Sequence, residues 1–322
     1  MPRKKRRLAL VFAVSVAALA SVTAIVPRQP RALMDANFLV STPPAPESAM
    51  ETTATTGGVP KAELAAPAEM SASVEASFVQ AAAERNGVLK GELRWTFGGK
   101  QQRGWVIYVP LIQRLIDTDE AATTSGFAAR LARWQKSVGL AGSGVLDEGA
   151  LMRMISTWQG RRLKDRTYPQ PAQLFTVPRA EFYDSSRADD LRQVERQTYA
   201  AYKRMVAAAA GESSLQLATK GGELAASEKY LKIISAFRSK EYQDRLRKQE
   251  PGAGRAALAV NSPHFTGRAL DLYVGGEPTI TKDSNRALQT ETRAFRWLVK
   301  NAGRFGFCPY FYEPWHWEYC AP

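Results

Sequence analysis

The first 75 residues restrict what can fold to the rest of the chain. MPRKKRR is a basic cluster that runs directly into LALVFAVSVAALASVTAIV, residues 8–26, which carries no charge. That run is about the ~20 apolar residues needed to span a bilayer, and a positive cluster before it would stay on the cytoplasmic side. ALA at 18–20 and VTA at 22–24 are also small-residue sites where a signal peptidase could cut. Residues 1–30 therefore read as a signal peptide or an N-terminal membrane anchor. Either would export the rest of the chain, to the periplasm or the outer face of the cytoplasmic membrane. No cysteine stands close after the run, which excludes a lipid-modified cysteine there. Residues 31–75, with STPPAPESAMETTATTGGVPKAELAAPAEMSAS at their centre, are rich in Pro, Ala, Thr, Ser and Glu and almost free of aromatics. Such a composition cannot bury a core, so this stretch reads as a low-complexity linker.

The remainder has the material for two ordinary domains. The whole chain is 322 residues, 45% hydrophobic and 10% aromatic. Its formal net charge of +13 favours anionic neighbours without choosing one. No zinc-finger spacing occurs, nor any basic and aromatic run of the RNA-binding kind, so nucleic acid is not expected as a partner.

Residues 76–165 read as a small, mainly helical domain. ASFVQAAAERNGVLKGELRWTFGG suggests a helix, a Gly-containing break and a strand. In SGFAARLARWQKSVGL the residues Phe127, Leu131, Trp134 and Val138 fall on one helical stripe. After a Gly-rich turn, a second helix points Leu151, Met154 and Ile155 inward. Packing alone accounts for these residues. Further on, a long helix is expected from 185 to Gly211, opened by a serine cap and with Leu191, Val194, Tyr202, Met205 and Val206 on its apolar face. A helix near 223–231, a strand KIISAF, a helix KEYQDRLRKQ and a helix in ETRAFRWLVKNAGRFG complete the reading.

The chain has only two histidines, His264 and His316. Both stand in short segments with turn residues and carboxylates, NSPHFTGRALDLYVGG and EPWHWEY. Alone, a histidine beside proline is an ordinary loop residue, and an aspartate in a strand ordinarily faces water. Together, His264, Asp271 and His316 supply the three protein ligands that catalytic zinc typically takes. Gly267 permits a turn after His264. Strand alternation then sends Leu270, Leu272 and Val274 to one face and Ala269, Asp271 and Tyr273 to the other. Glu313, three before His316, is placed to move the proton of an attacking water. Arg238, at the end of the strand in SAFRSKEYQ, offers positive charge for a developing oxyanion, with Gln243 a turn further on.

These segments resemble a known family. SPHFTGRALDL resembles the Ser-x-His-x-x-Gly-x-Ala-x-Asp motif of VanY-type zinc D-alanyl-D-alanine carboxypeptidases and dipeptidases. EPWHWEY resembles their Glu-Pro-Trp-His motif, and SAFRSKEYQ is similar to their Ser-x-Tyr-Arg-Ser…Gln segment, with Phe237 where Tyr is commoner. The three occur in the family's order over about 235–319. The resemblance implies an α+β fold with a small antiparallel sheet and flanking helices carrying a zinc site, the Hedgehog-like peptidase fold, over residues 166–322. It implies Zn2+ on His264, Asp271 and His316, Glu313 as catalytic base, Arg238 stabilising the transition state, and Ser262 and Gln243 lining the substrate site. Its substrate is the terminal D-Ala-D-Ala of peptidoglycan stem peptides. The helix-turn-helix RWQKSVGL, GSGVLDEG, ALMRMI resembles the second half of a peptidoglycan-binding repeat, with GSG in place of the usual Asp-Gly, so the 105–160 unit could hold glycan strands.

An endopeptidase of the same fold and a non-catalytic wall-binding protein remain as other readings. A serine enzyme for the same peptides needs Ser-x-x-Lys, which is absent from the sequence. Cys308 and Cys320 read either as a bridge suited to an oxidising compartment or as two buried thiols.

Overall fold

The computed structural model describes residues 67–249 and 261–321. The expected signal or anchor segment lies outside the described residues, as does most of the linker. Among the described residues no helix is long and apolar enough to cross a membrane.

The first helix, α1 (Pro67–Glu92), begins inside the segment read as linker and runs through both Gly87 and Gly91. Its Ala- and Glu-rich text explains the extension. A hairpin of β1 (Arg94–Phe97) and β2 (Lys100–Arg103) follows, turning on Gly98 and Gly99. Next come α2 (Val109–Ile116), α3 (Ser125–Ser137) and α4 (Glu148–Arg161). Phe127 and Leu131 of α3, and Leu151, Met154 and Ile155 of α4, are buried as their spacing predicts. Buried Asn86 ties α1 to the turn before α4, donating to the Gly144 carbonyl and accepting from the Leu146 amide, both at 2.8 Å.

The long helix expected from 185 is shorter. Short strands β3 (Leu174–Thr176) and β4 (Gln193–Glu195) pair antiparallel, and α5 (Arg196–Ala210) starts only after them. Two local interactions hold 184–195 out of the helix. Asp184 accepts from the Ser186 amide at 3.0 Å, and the buried Arg192 guanidinium donates to the carbonyls of Val177 and Arg187. Glu195, not a serine, caps the helix by accepting from the Gln197 and Thr198 amides. The expected helix near 223–231 is instead the second strand of a hairpin, β5 (Thr219–Lys220) with β6 (Glu223–Leu224), followed by turns. Gly221 and Gly222 both take positive φ, which suits a two-residue hairpin turn and not a helix start.

Then come β7 (Ile233–Ser235), α6 (Lys240–Gln249), β8 (Ala269–Leu272), α7 (Asp283–Glu291), α8 (Arg293–Asn301), β9 (Phe307–Pro309) and β10 (His316–Tyr319). The strands β7, β8, β10 and β9 form, in that order, an antiparallel sheet. The α+β architecture with a small antiparallel sheet and flanking helices is therefore present.

Leu270 and Trp317 pair across β8 and β10, and on that face Phe295 of α8 lies edge-on to Trp317. The hydrophobic core continues without a break from Trp95 in the helical part to Trp317 in the sheet. Rings from the helical part, Phe97, Tyr108 and Trp158, all pack on Phe311, two residues before Glu313.

Candidate metal centre

Asp271 and His316 are direct partners in the β8–β10 register, so their side chains leave the same face of the sheet, opposite the Leu270 and Trp317 face. His264 arrives from a short 3-10 turn, Pro263–Thr266, that Ser262 caps by accepting from the His264 amide at 3.3 Å. Gly267 ends that turn at φ 68°. A Cβ there would lie 2.9 Å from the Glu195 amide nitrogen, so only glycine fits both the conformation and the space. The His264 carbonyl accepts from the amides of Gly267 and Arg238, both at 3.2 Å, which fixes the turn against the end of β7.

The three side chains are 2–4% exposed, and one ligand atom from each lies within 4.8 Å of the others. His264 Nε2 is 3.3 Å from Asp271 Oδ1, and His316 Nδ1 is 3.0 Å from the same oxygen. The far nitrogen of each ring is also held. His264 Nδ1 donates to the Ala236 carbonyl at 2.6 Å, and His316 Nε2 donates to Glu318 Oε1 at 3.1 Å. Such outer contacts choose the tautomer and turn the lone pair of the other nitrogen inward. The donor set, its burial and these backing contacts fit a divalent metal of the borderline class.

Arg238 stands beside the cluster. Its Nη2 donates to Asp271 Oδ2 at 2.9 Å, while its Nε donates to Ser235 Oγ at 3.0 Å. Asp271 thus gives one oxygen to the arginine and turns the other to the histidines. Glu313 Oε2 lies 4.0 Å from His316 Nδ1. A tight turn carries it, in which the Glu313 amide donates to the Tyr310 carbonyl at 3.1 Å and the His316 amide to the Glu313 carbonyl at 2.9 Å. Gln243 sits one turn into α6 and is 1% exposed. The structure therefore brings His264, Asp271, His316, Arg238 and Glu313 together, and gives Ser262 a capping role in the ligand turn.

Burial and charge set unlike proton affinities. Burial, joined by the nearby Arg238 charge, lowers the His264 pKa to about 4. Burial opposes charge on His316 too, but its hydrogen bonds to Asp271 and Glu318 prevail and raise it to about 9. Asp271 is held well below the ordinary carboxylate range, because His264, His316 and Arg238 outweigh its burial. Glu313 moves the other way. Burial raises it to about 7, with only part of that offset by His316. One carboxylate of the cluster is thus kept ionised, the state a metal ligand needs, and the other is poised near neutrality, the state a general base needs.

Comparison with known families gives a match for this part of the sequence. Residues 191–322 match the family VanY, D-alanyl-D-alanine carboxypeptidase. This part of the chain is similar to that family. No curated protein matches the chain. The VanY match contains every residue of the cluster, and residues 67–190 lie outside it.

Motif spacing missed one residue that touches the cluster. Glu318 is 0% exposed and holds His316 Nε2. It stands two after His316 on β10, so strand alternation alone puts both on one face. Of the two readings of the cysteines, the structure has the free thiols. Cys308 on β9 and Cys320, just past the end of β10, are in side-chain hydrogen-bonding contact, which lowers the Cys308 pKa and raises that of Cys320.

Proposed function

We propose that the VanY-like part of the chain is a zinc-dependent peptidase that removes the terminal D-Ala from peptidoglycan stem peptides outside the cytoplasmic membrane. The convergence of His264 Nε2, Asp271 Oδ1 and His316 Nδ1 beside a buried, near-neutral carboxyl carries this reading. When bound, zinc supplies Lewis acidity toward the scissile carbonyl and toward water.

The chain's own residues do the rest. Glu313 takes a proton from the attacking water as the C–O bond forms. It returns that proton to the leaving amine nitrogen as the C–N bond breaks, so the products are a shortened peptide carboxylate and free D-Ala. The Arg238 guanidinium balances negative charge on the carbonyl oxygen, and its grip on Asp271 fixes where that charge is met. Burial of the cluster excludes bulk water, which strengthens each of these interactions. Ser262 and Gln243 line the substrate side, and the 105–160 unit holds glycan strands. The basic and apolar leader directs export, whether it is cleaved or kept as an anchor.

The test is digestion of a stem pentapeptide ending in D-Ala-D-Ala by the zinc-loaded full chain, followed by mass spectrometry. Loss of one terminal residue, abolished in Glu313→Ala, is the expected result. New internal fragments would instead identify an endopeptidase, and binding to sacculi without any cleavage would overturn the catalytic reading.

A further inference from the structure

The VanY match begins at residue 191, yet one contact that orients the candidate metal ligands comes from before it. Arg162 caps the C-terminal end of α4. Its Nε donates to Glu318 Oε1 at 2.9 Å, and its Nη2 donates to the same oxygen. The next residue supplies the other half of the clamp, since the Leu163 amide donates to Glu318 Oε2 at 2.9 Å. Glu318 Oε1 is also the acceptor of His316 Nε2. The carboxylate is thus fixed at both oxygens by a helix end 155 or 156 residues earlier in the chain, and its fixed plane sets the angle of the His316 ring.

Arg162 is itself held. Its guanidinium stacks 3.9 Å over the Tyr310 ring, and its Nη1 donates to Gln159 Oε1 at 3.2 Å. The forked geometry is what arginine offers and lysine does not.

We propose that Arg162 is a positioning residue for His316, acting through Glu318, and that the end of α4 is therefore a working part of the metal centre. This rests on the zinc reading of the cluster. Contacts in the shell behind a metal ligand typically alter metal affinity or activity by 10–100-fold when removed.

The test uses the full chain as wild type, Arg162→Met, Arg162→Lys and the exposed neighbour Arg161→Met. Zinc affinity is measured by competition with a chromophoric chelator, the visible spectrum is recorded with cobalt in place of zinc, and kcat and KM are read on the stem pentapeptide. Arg162→Met is expected to weaken zinc binding about tenfold, shift the cobalt bands and lower kcat with KM within about twofold. Arg162→Lys is expected to recover part of both losses, and Arg161→Met to match wild type. A purely structural role would lower thermal stability of the metal-free variants while leaving affinity and spectrum unchanged, and that result overturns the inference. Should Arg162→Met fail to fold, wild-type affinity and spectrum in Arg162→Lys overturn it equally. Wild type that binds no zinc would overturn the zinc reading beneath it, a different outcome from zinc bound equally by all four proteins.

Discussion

Glu313→Gln is expected to abolish hydrolysis and, in the metal-free protein, to raise stability. The Glu313 side chain is buried, and burial lifts its pKa from 4.5 to about 7. Between those values the folded protein holds a proton that the unfolded chain has already released. The native state then binds more protons than the unfolded one, so stability falls as pH rises through this window. At 1.36 kcal/mol per pH unit, the interval corresponds to about 3 kcal/mol above pH 7 and nothing below pH 4.5. Glutamine keeps the shape and cannot ionise, so it removes this cost. Urea unfolding of chelator-treated wild type and Glu313→Gln at a series of pH values measures the difference. The variant should match wild type near pH 4.5 and exceed it by up to about 3 kcal/mol at pH 8, roughly 10 °C in midpoint temperature. A difference independent of pH, or a variant less stable at pH 8, would refute the assignment of Glu313 as a buried, strained base.

Three other outcomes follow from the same geometry. Asp271→Asn removes the anion shared by Arg238 and both histidines. It should destabilise the protein by about 3 kcal/mol and leave no zinc after desalting, as read by elemental analysis. Gly267→Ala forces a side chain into a positive-φ site against the Glu195 backbone, and should cost about 2 kcal/mol or more in urea unfolding. Cys308 and Cys320 should oxidise to a bridge in an oxidising compartment, lowering the intact mass by two hydrogens and adding about 3 kcal/mol that reductant removes. That bridge would enclose the loop bearing Glu313 and His316.

The candidate ligand cluster was legible in the sequence because each of its residues lies in a short motif whose turn or strand geometry is local. Gly267 and the alternation through Leu270, Asp271 and Leu272 place two of them without reference to the rest of the fold. What the sequence concealed depends on distant contacts. Arg162 reads as one more surface charge after a helix, and only the approach of that helix to β10 gives it a partner. Helix α7 was unseen because its buried residues are Asn285, Arg286, Gln289 and Thr290, which leave no apolar stripe. Arg286 is buried there to donate to Tyr108 and to the Tyr312 carbonyl, again joining parts remote in sequence. The misread helix start at 185 has the same origin. Acidic residues after a serine look like a helix opening, but the pairing of β4 with β3 claims the backbone first.

On the proposed zinc reading, the pairing of Asp271 with His316 across β8 and β10 also makes metal content a report on folding. A slip of one residue along β10 would turn His316 away and present Trp317 to the ligand face, while strand content stayed almost the same. Circular dichroism would hardly register such a molecule. Zinc would, since a slipped sheet offers it no third ligand. The molar ratio of metal to chain in a preparation therefore counts the molecules whose last strand has docked in register, and a variant that lowers the ratio without weakening affinity has disturbed pairing rather than coordination.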